Sequence, residues 1–317
     1  MKRLQRLRAT AALRDMVSEI GFCQSQLIQP LFLAEGLSKE TPLDGLPGNS
    51  RHTIESLVAQ LEKDMAAGVR QFLLFPVPAQ KSDQKFAADF VGTALQKLRQ
   101  RAGNGATIWV DTCLCSFTKS GHCHVCDAGG RQDLAATHAA LGALALTYVK
   151  NGADGVSPSD MNDGRVAHLR VVLDGAGFDM APIMSYSTKF ASNFYGPFRD
   201  AADSAPQYGD RKSYQLDVRN RTDALASSRR CAEEGADLLM VKPGQPSADL
   251  IRPIHEQTGL PVGAYQVSGE YTSLVLLAEK DFLKFDAGLV ESWYNLRRAG
   301  ASYIITYGAR LARGLGL

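Results

Sequence analysis

Eight short apolar segments follow one another along the chain, separated by stretches that are mostly long enough for a helix. Each segment has the length of a strand, and its apolar residues are contiguous rather than alternating, as expected for parallel strands buried on both faces. The segments are Leu27–Leu33, Gln71–Val77, Ala106–Thr112, Ala153–Ser159, Met180–Ser187, Ala236–Pro243, Pro261–Ser268 and Ala301–Tyr307. The chain must therefore cover both faces of a parallel sheet.

Helical patterns occupy the gaps between these segments. Apolar residues recur every three to four positions after Thr53, a candidate N-cap, and again within residues 134–149, 166–173 and 250–254. Glycines that fit left-handed helix caps precede four of the strands: Gly68, Gly152, Gly235 and Gly300. Eight strands that alternate with helices predict an α/β fold, a (β/α)8 TIM barrel. An open doubly wound sheet is the alternative, but no G-x-G-x-x-G follows the first strand.

The same pattern sets the domain boundaries. Residues 1–26 precede the first strand and are predicted to form an N-terminal arm, and no linker divides residues 27–317, the predicted barrel domain. The 35 basic and 33 acidic residues nearly cancel, so the chain lacks the basic surplus that typifies nucleic-acid binding. No run of 18 apolar residues suggests a membrane span. The basic N-terminus is unlike a secretory signal, which predicts a cytoplasmic protein, with an organelle-targeting remnant as the alternative.

Polar and ionisable residues collect where the predicted strands end. In a barrel, the carboxyl ends of all strands meet on one face and build the active site. The residues at these positions are Asp111, Cys113, Ser159, Asp160, Ser185, Ser187, Lys189, Lys242, Ser268, Thr306 and Tyr307. Their convergence predicts an enzyme, although the loops after barrel strands tend to be polar in any case.

Two of these residues are lysines on neighbouring strands. Lys242 follows the apolar run Leu238–Val241, so its ammonium group should be partly desolvated, and burial lowers the pKa of an amine. A second ammonium group at Lys189 would lower that pKa further. Because a neutral amine can attack a carbonyl carbon and form a Schiff base, the pair favours covalent chemistry over two snorkelling surface lysines.

Four of the six cysteines lie within 14 residues, which indicates a metal site rather than disulfides. Cys113, Cys115 and Cys123 could enclose one ion, and soft thiolates favour zinc. Three protein ligands leave a position open for water or substrate, as in a catalytic site. A closed structural site would need a fourth ligand from Cys126, His122 or His124. The other two cysteines, Cys23 and Cys231, are expected to be plain buried thiols.

A long polar segment, Phe190–Asp217, follows the fifth predicted strand. It exceeds an ordinary barrel connection, and loops of this length often act as lids. Arg199, Arg211 and Lys212 lie in this segment, and arginines suit a carboxylate substrate because they form paired hydrogen bonds with it. Solvated charge is the alternative for each of them.

Seven motifs occur in a fixed order along the chain: DTCLCSFTKSGHC at 111–123, SPSDMNDGR at 157–165, SYSTKFASNFYGPFRDA at 185–201, GDRKSYQL at 209–216, LMVKPG at 239–244, AYQVSGEY at 264–271 and RRAGASYIITY at 297–307. Together they resemble the porphobilinogen synthase family, also called 5-aminolevulinate dehydratase. The resemblance runs from Leu27 to the C-terminus. It implies condensation of two 5-aminolevulinate molecules to porphobilinogen in tetrapyrrole biosynthesis. It also implies a barrel whose N-terminal arm wraps a neighbouring subunit, usually in an octamer.

The resemblance also implies roles for individual residues. Lys242 corresponds to the Schiff-base lysine for the first substrate, whose carboxylate is bound by Ser268 and Tyr307. Lys189 corresponds to a second active-site lysine. The residues implied around the second substrate are Arg199, Arg211 and Gln215 at its carboxylate, with Asp111 and Ser159 lining the pocket and Asp111 assisting proton transfer.

Metal ions follow from the same resemblance. The residues that match the ligands of the catalytic zinc are Cys113, Cys115 and Cys123. Members that use allosteric magnesium carry a glutamate at a position that an ungapped alignment places at Ser227. A neutral hydroxyl cannot offset the charge of Mg²⁺, so we expect no allosteric magnesium, with Arg230 or Arg229 in its place.

Two other functions compete with this interpretation. A class I aldolase on the same fold would explain Lys242 but would leave the cysteines and the second lysine without a role. A zinc-knuckle module would use the cysteines to bind nucleic acid, but the near-neutral charge and the lack of a basic aromatic patch argue against it.

Overall fold

The computed structural model describes residues 3–317, without the side chain of Asp200, and contains eight parallel strands arranged in a ring. The strands are β1 Leu27–Ala34, β2 Gln71–Val77, β3 Thr107–Thr112, β4 Gly155–Pro158, β5 Met184–Lys189, β6 Leu238–Lys242, β7 Val262–Tyr265 and β8 Ile304–Ile305. They pair in the order β4-β3-β2-β1-β8-β7-β6-β5. A bridge between Val156 and Ile183 joins β4 to the entrance of β5 and completes the ring. The predicted TIM barrel is confirmed and the open sheet is excluded.

Eight helices of more than ten residues connect these strands, and the β7–β8 connection contains two of them. They are α1 Ile54–Ala66, α2 Asp89–Ala102, α3 Leu134–Lys150, α4 Arg165–Gly175, α5 Arg221–Glu233, α6 Ala248–Thr258, α7 Ser268–Glu279 and α8 Phe285–Arg298. The predicted N-cap is confirmed, because the Thr53 hydroxyl accepts a hydrogen bond from the Ser56 amide at 3.2 Å. None of the helices within residues 3–317 is both long enough and apolar enough to cross a bilayer.

Shorter strands and helices lie before, between and after the barrel strands. Two antiparallel pairs join Thr41–Pro42 to Ser50–His52 and Val125–Cys126 to Gln132–Asp133. The remaining helical segments are the α-helices Ala11–Met16 and Gly196–Ala201 and the 3-10 turns Leu4–Arg8, Gln24–Gln26, Asn193–Tyr195, Gln245–Ser247 and Ala309–Leu315. Gln24 bonds to the carbonyl oxygens of Ala67 and Ala309, each at 3.1 Å, which attaches the start of the chain to the barrel.

The fifth strand differs from its sequence-based boundaries. Residues Met180–Ser187 were expected to be extended, whereas β5 spans Met184–Lys189. Met180 lies in an exposed turn, and Ile183 is held at the strand entrance because its amide donates to Asp237 Oδ2 at 2.7 Å. The shift is relevant to function because it includes Lys189 in the strand.

Two expectations about isolated cysteines have different outcomes. Cys231 is buried, as expected, on the inner face of α5. The expectation for Cys23 is wrong, because this thiol is exposed and lies 2.9 Å from the Ser25 hydroxyl. Cys23 precedes the turn whose Gln24 side chain takes the buried position, so the thiol points away from the barrel.

A buried ion pair fixes the segment after β4 to β5. Arg165 and Asp160 are both 0% exposed, and their closest charged atoms are 3.5 Å apart. The Arg165 guanidinium also donates to the carbonyl oxygens of Asn162 and Tyr186, each at 3.1 Å. The Asn162 amide in turn donates to the carbonyl oxygen of Cys123 at 3.0 Å. This network connects the cysteine loop to the strand that carries Lys189.

Candidate active site

The residues predicted at several strand ends lie together at the carboxyl face of the barrel. Lys189 and Lys242 are ladder partners at the ends of β5 and β6, so the two lysines lie side by side. Lys189 Nζ donates to the carbonyl oxygen of Ser159 at 2.5 Å, and the Asp111 carboxyl interacts electrostatically with both lysines. All four residues are buried. Strands β3 to β6 therefore bring two amines, a hydroxyl-bearing segment and a carboxyl into one pocket.

Burial dominates the electrostatics of Lys242, which is 3% exposed. It holds the pKa of Lys242 well below the ordinary value of 10.5, and the neighbouring Lys189 ammonium lowers the pKa further. The Asp111 carboxyl opposes this shift without reversing it. A larger fraction of Lys242 is therefore neutral near physiological pH, and the neutral amine is the nucleophilic form.

Four aromatic rings, which we call the aromatic cage, surround the amine of Lys242. The distances from Nζ to the ring centroids are 4.2 Å for Tyr265, 4.8 Å for Phe198, 5.0 Å for Tyr186 and 5.3 Å for Tyr195. Ring faces attract an ammonium group but hydrate it far less well than water does. The cage thus supplies the apolar surroundings that lower the pKa of the amine.

The segment Phe190–Asp217 covers this part of the pocket. Its short helix, Gly196–Ala201, contributes Phe198, whose ring packs edge-on against Phe75 with centroids 5.1 Å apart. The base of the segment is attached to the end of β5, because the Leu216 amide donates to the carbonyl oxygen of Lys189 at 3.0 Å. The segment has the position of the predicted lid.

The Asp111 carboxyl has a strongly perturbed acidity. Burial raises its pKa to about 7, the nearby Cys115 thiolate adds to the rise, and the ammonium groups of Lys189 and Lys242 oppose it. Its Oδ1 atom is buried without a hydrogen-bond partner. A carboxyl group with a pKa near neutrality can both donate and accept a proton at physiological pH.

Three buried cysteines form a second cluster in the pocket. The Sγ atoms of Cys113, Cys115 and Cys123 lie within 4.8 Å of one another. Tetrahedral zinc with Zn–S bonds of about 2.3 Å separates its sulfur ligands by about 3.8 Å, so the cluster can accept this ion with a small contraction. Hydrogen bonds from the Cys113 and Cys123 thiols hold the pKa of Cys115 well below 9.0. The donor set therefore fits a soft metal ion.

The other candidate ligands are arranged differently. Within residues 3–317, the three cysteines are the only group of three or more His, Cys, Asp or Glu residues whose ligand atoms converge. Both ring nitrogens of His122 are engaged, at 3.0 Å from the Tyr214 hydroxyl and 3.0 Å from the carbonyl oxygen of Tyr208. The ring of His124 stacks on His122 with centroids 5.3 Å apart. The geometry favours three protein ligands and an open position.

Several buried polar atoms beside the cysteines lack hydrogen-bond partners. Arg211 donates to the carbonyl oxygens of Gly121, at 2.8 Å, and Ser204, but its Nε atom has no partner. Arg199 also has an unpaired buried Nε atom, and burial and the Arg211 charge lower the pKa of Arg199. Both amide atoms of buried Gln215 lack partners. Buried polar groups are rarely left unpaired. A bound carboxylate would accept from the two arginine Nε atoms and from the Gln215 amide nitrogen, whereas the Gln215 amide oxygen needs a donor.

The two residues predicted at the other carboxylate lie next to the aromatic cage. The Ser268 hydroxyl accepts from the Phe198 amide at 3.0 Å and lies 3.4 Å from the carbonyl oxygen of Phe194. The Tyr307 hydroxyl lies 3.1 Å from that of Tyr265. The Ser268 hydroxyl is thus hydrogen-bonded to the covering segment. A movement of that segment would change the hydrogen bonds of this hydroxyl.

Sequence reasoning missed the aromatic cage. Its residues Tyr186, Tyr195 and Phe198 belong to the quoted SYSTKFASNFYGPFRDA motif, and this density of aromatic residues beside a lysine was the available signal. Lys212 is exposed and pairs with Asp210 at 3.3 Å, so it has the solvated alternative role.

Comparisons with known proteins identify relatives of this chain. Residues 1–314 match the family described as delta-aminolevulinic acid dehydratase. The chain is 41% identical to a protein of that name from Halalkalibacterium halodurans over 98% of this chain and 95% of the relative, and 39% identical to one from Archaeoglobus fulgidus over 96% and 95%. A crystal structure of delta-aminolevulinic acid dehydratase (porphobilinogen synthase) from Toxoplasma gondii, in complex with the reaction product porphobilinogen, superposes with a TM-score of 0.95 at 37% identity. That match covers 99% of this chain and 91% of the solved one.

The cysteine geometry generates a test of metal binding. We expect Cys123→Ser to weaken Zn²⁺ affinity by more than about 100-fold, because a hydroxyl is a far poorer zinc ligand than a thiolate. Cys126→Ser is the matched control and should bind Zn²⁺ like the wild type. Competition with a chromophoric chelator measures both affinities, and circular dichroism checks that removal of the metal leaves the barrel folded. Equal losses in the two variants, or unfolding of the barrel on chelation, would contradict the three-cysteine site.

Proposed function

The chain belongs to the delta-aminolevulinic acid dehydratase family, and we propose that it condenses two molecules of 5-aminolevulinate to porphobilinogen with loss of two molecules of water. The observation that carries this proposal is the pair of buried lysines beside a cysteine cluster, with two separate groups of residues to which we assign the substrate carboxylates. Each substrate has a ketone, an amine and a carboxylate, and the pocket offers a partner for each of these groups.

Lys242 captures the first substrate. Its neutral amine attacks the ketone carbon, and after proton transfers the carbonyl oxygen leaves as water and a protonated imine remains. The positive charge of the imine makes the former ketone carbon electrophilic and its neighbouring carbon acidic. Ser268 and Tyr307 hold the carboxylate of this substrate beside the aromatic cage, which excludes water from the imine.

The second substrate lies on the side of β3 and β5. Its carboxylate occupies the pocket of Arg199, Arg211 and Gln215, whose unpaired buried atoms support this placement. Lys189 holds its ketone, with Ser159 lining the same wall. The two substrates then face each other across the lysine pair, which replaces a bimolecular encounter by a fixed geometry.

The chemistry joins the substrates in two condensations. The amine of one substrate replaces the ketone oxygen of the other, and a carbon–carbon bond replaces the second ketone oxygen. The two ketone oxygens account for the two waters. The ketone oxygen of the first substrate leaves as water when the Lys242 imine forms, so displacement of that imine frees the lysine amine without a further water, and the second ketone oxygen leaves as the second water. Asp111, with a pKa raised to about 7 by burial, is placed to take and return the protons of these steps.

Zinc is the metal that we propose for Cys113, Cys115 and Cys123. When bound there with an open position, it supplies a Lewis acid that keeps a coordinated amine or water unprotonated at neutral pH. Arg211 lies close enough to the cysteines for their thiolates to raise its pKa, in spite of its own burial. This guanidinium therefore stabilises the negative charge of the ligand set.

Three further properties are proposed with the function. Leu4, Leu7 and Met16 expose 62%, 51% and 71% of their surface in the stretch before residue 26, and an exposed apolar arm suits contact with a neighbouring subunit. We therefore propose that residues 1–26 are an arm that builds a homo-oligomer, with the octamer as its form. Three buried thiol ligands require reducing conditions, which agrees with a cytoplasmic location.

The proposed reaction has a direct assay. Incubation of the zinc-loaded protein with 5-aminolevulinate should produce a pyrrole that reacts with an Ehrlich-type reagent. Lys242→Met should lower the rate at least about 100-fold, since it removes the attacking amine, whereas the exposed-residue control Lys150→Met should keep full activity. A pyrrole-negative wild type would refute the proposed reaction. The aldolase and nucleic-acid-binding alternatives both predict this negative result. Normal turnover by Lys242→Met would remove the lysine from the mechanism.

We also propose that magnesium is not an allosteric activator. The Ser227 hydroxyl, at the position aligned with the family's glutamate, is buried and donates to the carbonyl oxygen of Ser187 at 2.7 Å. Arg230 bridges Asp163 and Glu234, so a guanidinium already neutralises the nearby carboxylates. A divalent cation would be repelled by this arginine, and Ser227 offers it no carboxylate.

Titration of Mg²⁺ into zinc-loaded, chelator-cleaned protein tests this proposal. The specific activity and the particle mass by light scattering should stay constant through the millimolar range. The control is Ser227→Glu, which restores a carboxylate at the aligned position. A saturable activation of the wild type, or its conversion to a larger assembly, would contradict the proposal.

A further inference from the structure

One buried carboxylate at the mouth of the barrel has no role in the mechanism described so far. Glu270 is 6% exposed and accepts hydrogen bonds from three backbone amides. Its Oε1 atom accepts from Gln245 at 2.7 Å, and its Oε2 atom accepts from Gly244 at 3.0 Å and from Val267 at 2.8 Å. A single side chain therefore satisfies three amides from two separate segments.

These two segments carry the residues that hold the first substrate. Gly244 and Gln245 follow Lys242 directly after Pro243, and Val267 immediately precedes Ser268. The Glu270 carboxylate thus joins the turn after β6 to the first turn of α7. Lys242 and Ser268 are therefore each close in sequence to an amide that this carboxylate binds.

The carbonyl group of Lys242 itself is fixed by other contacts. The carbonyl oxygen of Lys242 accepts from the Phe190 amide at 3.0 Å and from the Tyr195 hydroxyl at 3.1 Å. The downstream turn is pressed against β7, because a Cβ atom at Gly244 would lie 3.0 Å from the carbonyl oxygen of Tyr265. Glu270, in the helix that follows β7, binds the amides of this turn.

The junction has an electrostatic cost that its donors offset only in part. Burial raises the pKa of Glu270 to about 7, although the amides of Gln245, Val267 and Gly244 and the charge of Lys242 favour the ionised form. A carboxylate in an apolar site persists when several donors point at it. The three amides supply these donors.

We propose that Glu270 is a positioning residue that holds Lys242 and Ser268 in register for imine formation with the first substrate. The inference rests on the proposed function, because it assigns Glu270 a part in the reaction of Lys242. Glu270 does not touch the reacting atoms; it acts through the backbone on both sides of the site.

The isosteric variant Glu270→Gln breaks one defined contact. If the amide oxygen takes the Oε2 position, it keeps the bonds from Gly244 and Val267. The amide nitrogen then faces the Gln245 amide across 2.7 Å in the wild-type geometry, and two donors repel each other. The turn that follows Lys242 is therefore released while the side-chain volume stays the same.

The test measures imine formation per intact site. Zinc-loaded protein is mixed with 5-aminolevulinate, quenched with borohydride at set times, and the label on the Lys242 peptide is quantified by mass spectrometry. Because a misplacement of about 1 Å can cost about 100-fold in rate, we expect Glu270→Gln to form the imine about 10- to 100-fold more slowly. Its apparent substrate affinity should also weaken, while its bound zinc per chain equals that of the wild type.

Controls separate positioning from general destabilisation. Glu279→Gln changes an exposed carboxylate at the end of the same helix and should label at the wild-type rate. A purely structural role for Glu270 would reduce the number of zinc-loaded sites but leave the rate per site unchanged, and that result would overturn the proposal. If Glu270→Gln does not fold, the shorter Glu270→Asp decides, since it keeps the charge but cannot reach all three amides. A wild-type rate in that variant would also overturn the proposal.

The outcome for the wild type distinguishes this proposal from the proposed function. If wild-type protein gains no label at Lys242, the Schiff-base assignment itself is wrong, and the role of Glu270 falls with it. If the wild type is labelled and Glu270→Gln is labelled equally fast per site, only the positioning role is wrong.

Discussion

The ammonium group of Lys242 is held at the end of β6 in surroundings that solvate it poorly, and the chemistry of the pocket depends on this burial. Removal of water from a charged amine costs more free energy than the four ring faces of the aromatic cage return, so the neutral form gains. Lys189, its ladder partner on β5, adds a second positive charge and favours the neutral form further. The barrel makes this arrangement stable because parallel pairing fixes both lysines on rigid strands rather than on loops.

The remaining features of the site maintain that environment and connect it to its neighbours. Phe198, from the segment that covers the mouth, supplies one wall of the aromatic cage, and its amide bonds to Ser268. On the other side of the cage, the Arg165 guanidinium donates to the carbonyl oxygen of Tyr186, whose ring is another wall of the cage. The side-chain amide of Asn162, which lies in the same hydrogen-bond network, donates to the carbonyl oxygen of Cys123. The cysteine cluster, the lysine strand and the covering segment are therefore linked by hydrogen bonds and packing, which suits the proposed reaction because it must bring two substrates together.

Much of the architecture could be predicted from the sequence, because contiguous apolar runs and terminal glycines are local signals. The lysine pair and the cysteine triad could also be predicted, since the order of the strands and the spacing of the cysteines can be read directly from the sequence. The aromatic cage could not, because it requires knowing that Phe198 folds back over β6. The role of Glu270 was equally hidden, since its partners are backbone amides that carry no sequence signal. The exposed thiol of Cys23 shows the same limit. Gln24, the next residue, faces the barrel instead, and the local sequence does not indicate which of the two side chains is buried.

The central claim is that burial and the neighbouring ammonium group keep Lys242 nucleophilic, and the pH dependence of imine formation at this residue tests it most directly. Protein is mixed with 5-aminolevulinate at a series of pH values and quenched with borohydride at one fixed pH, for the wild type and for Lys189→Met. Because only the neutral amine attacks, the rate rises through the pKa of Lys242. The account predicts a wild-type midpoint well below 10.5 and an upward shift in Lys189→Met, in which the repelling charge is gone. A midpoint near 10.5 in the wild type, or the same midpoint in both proteins, would contradict it.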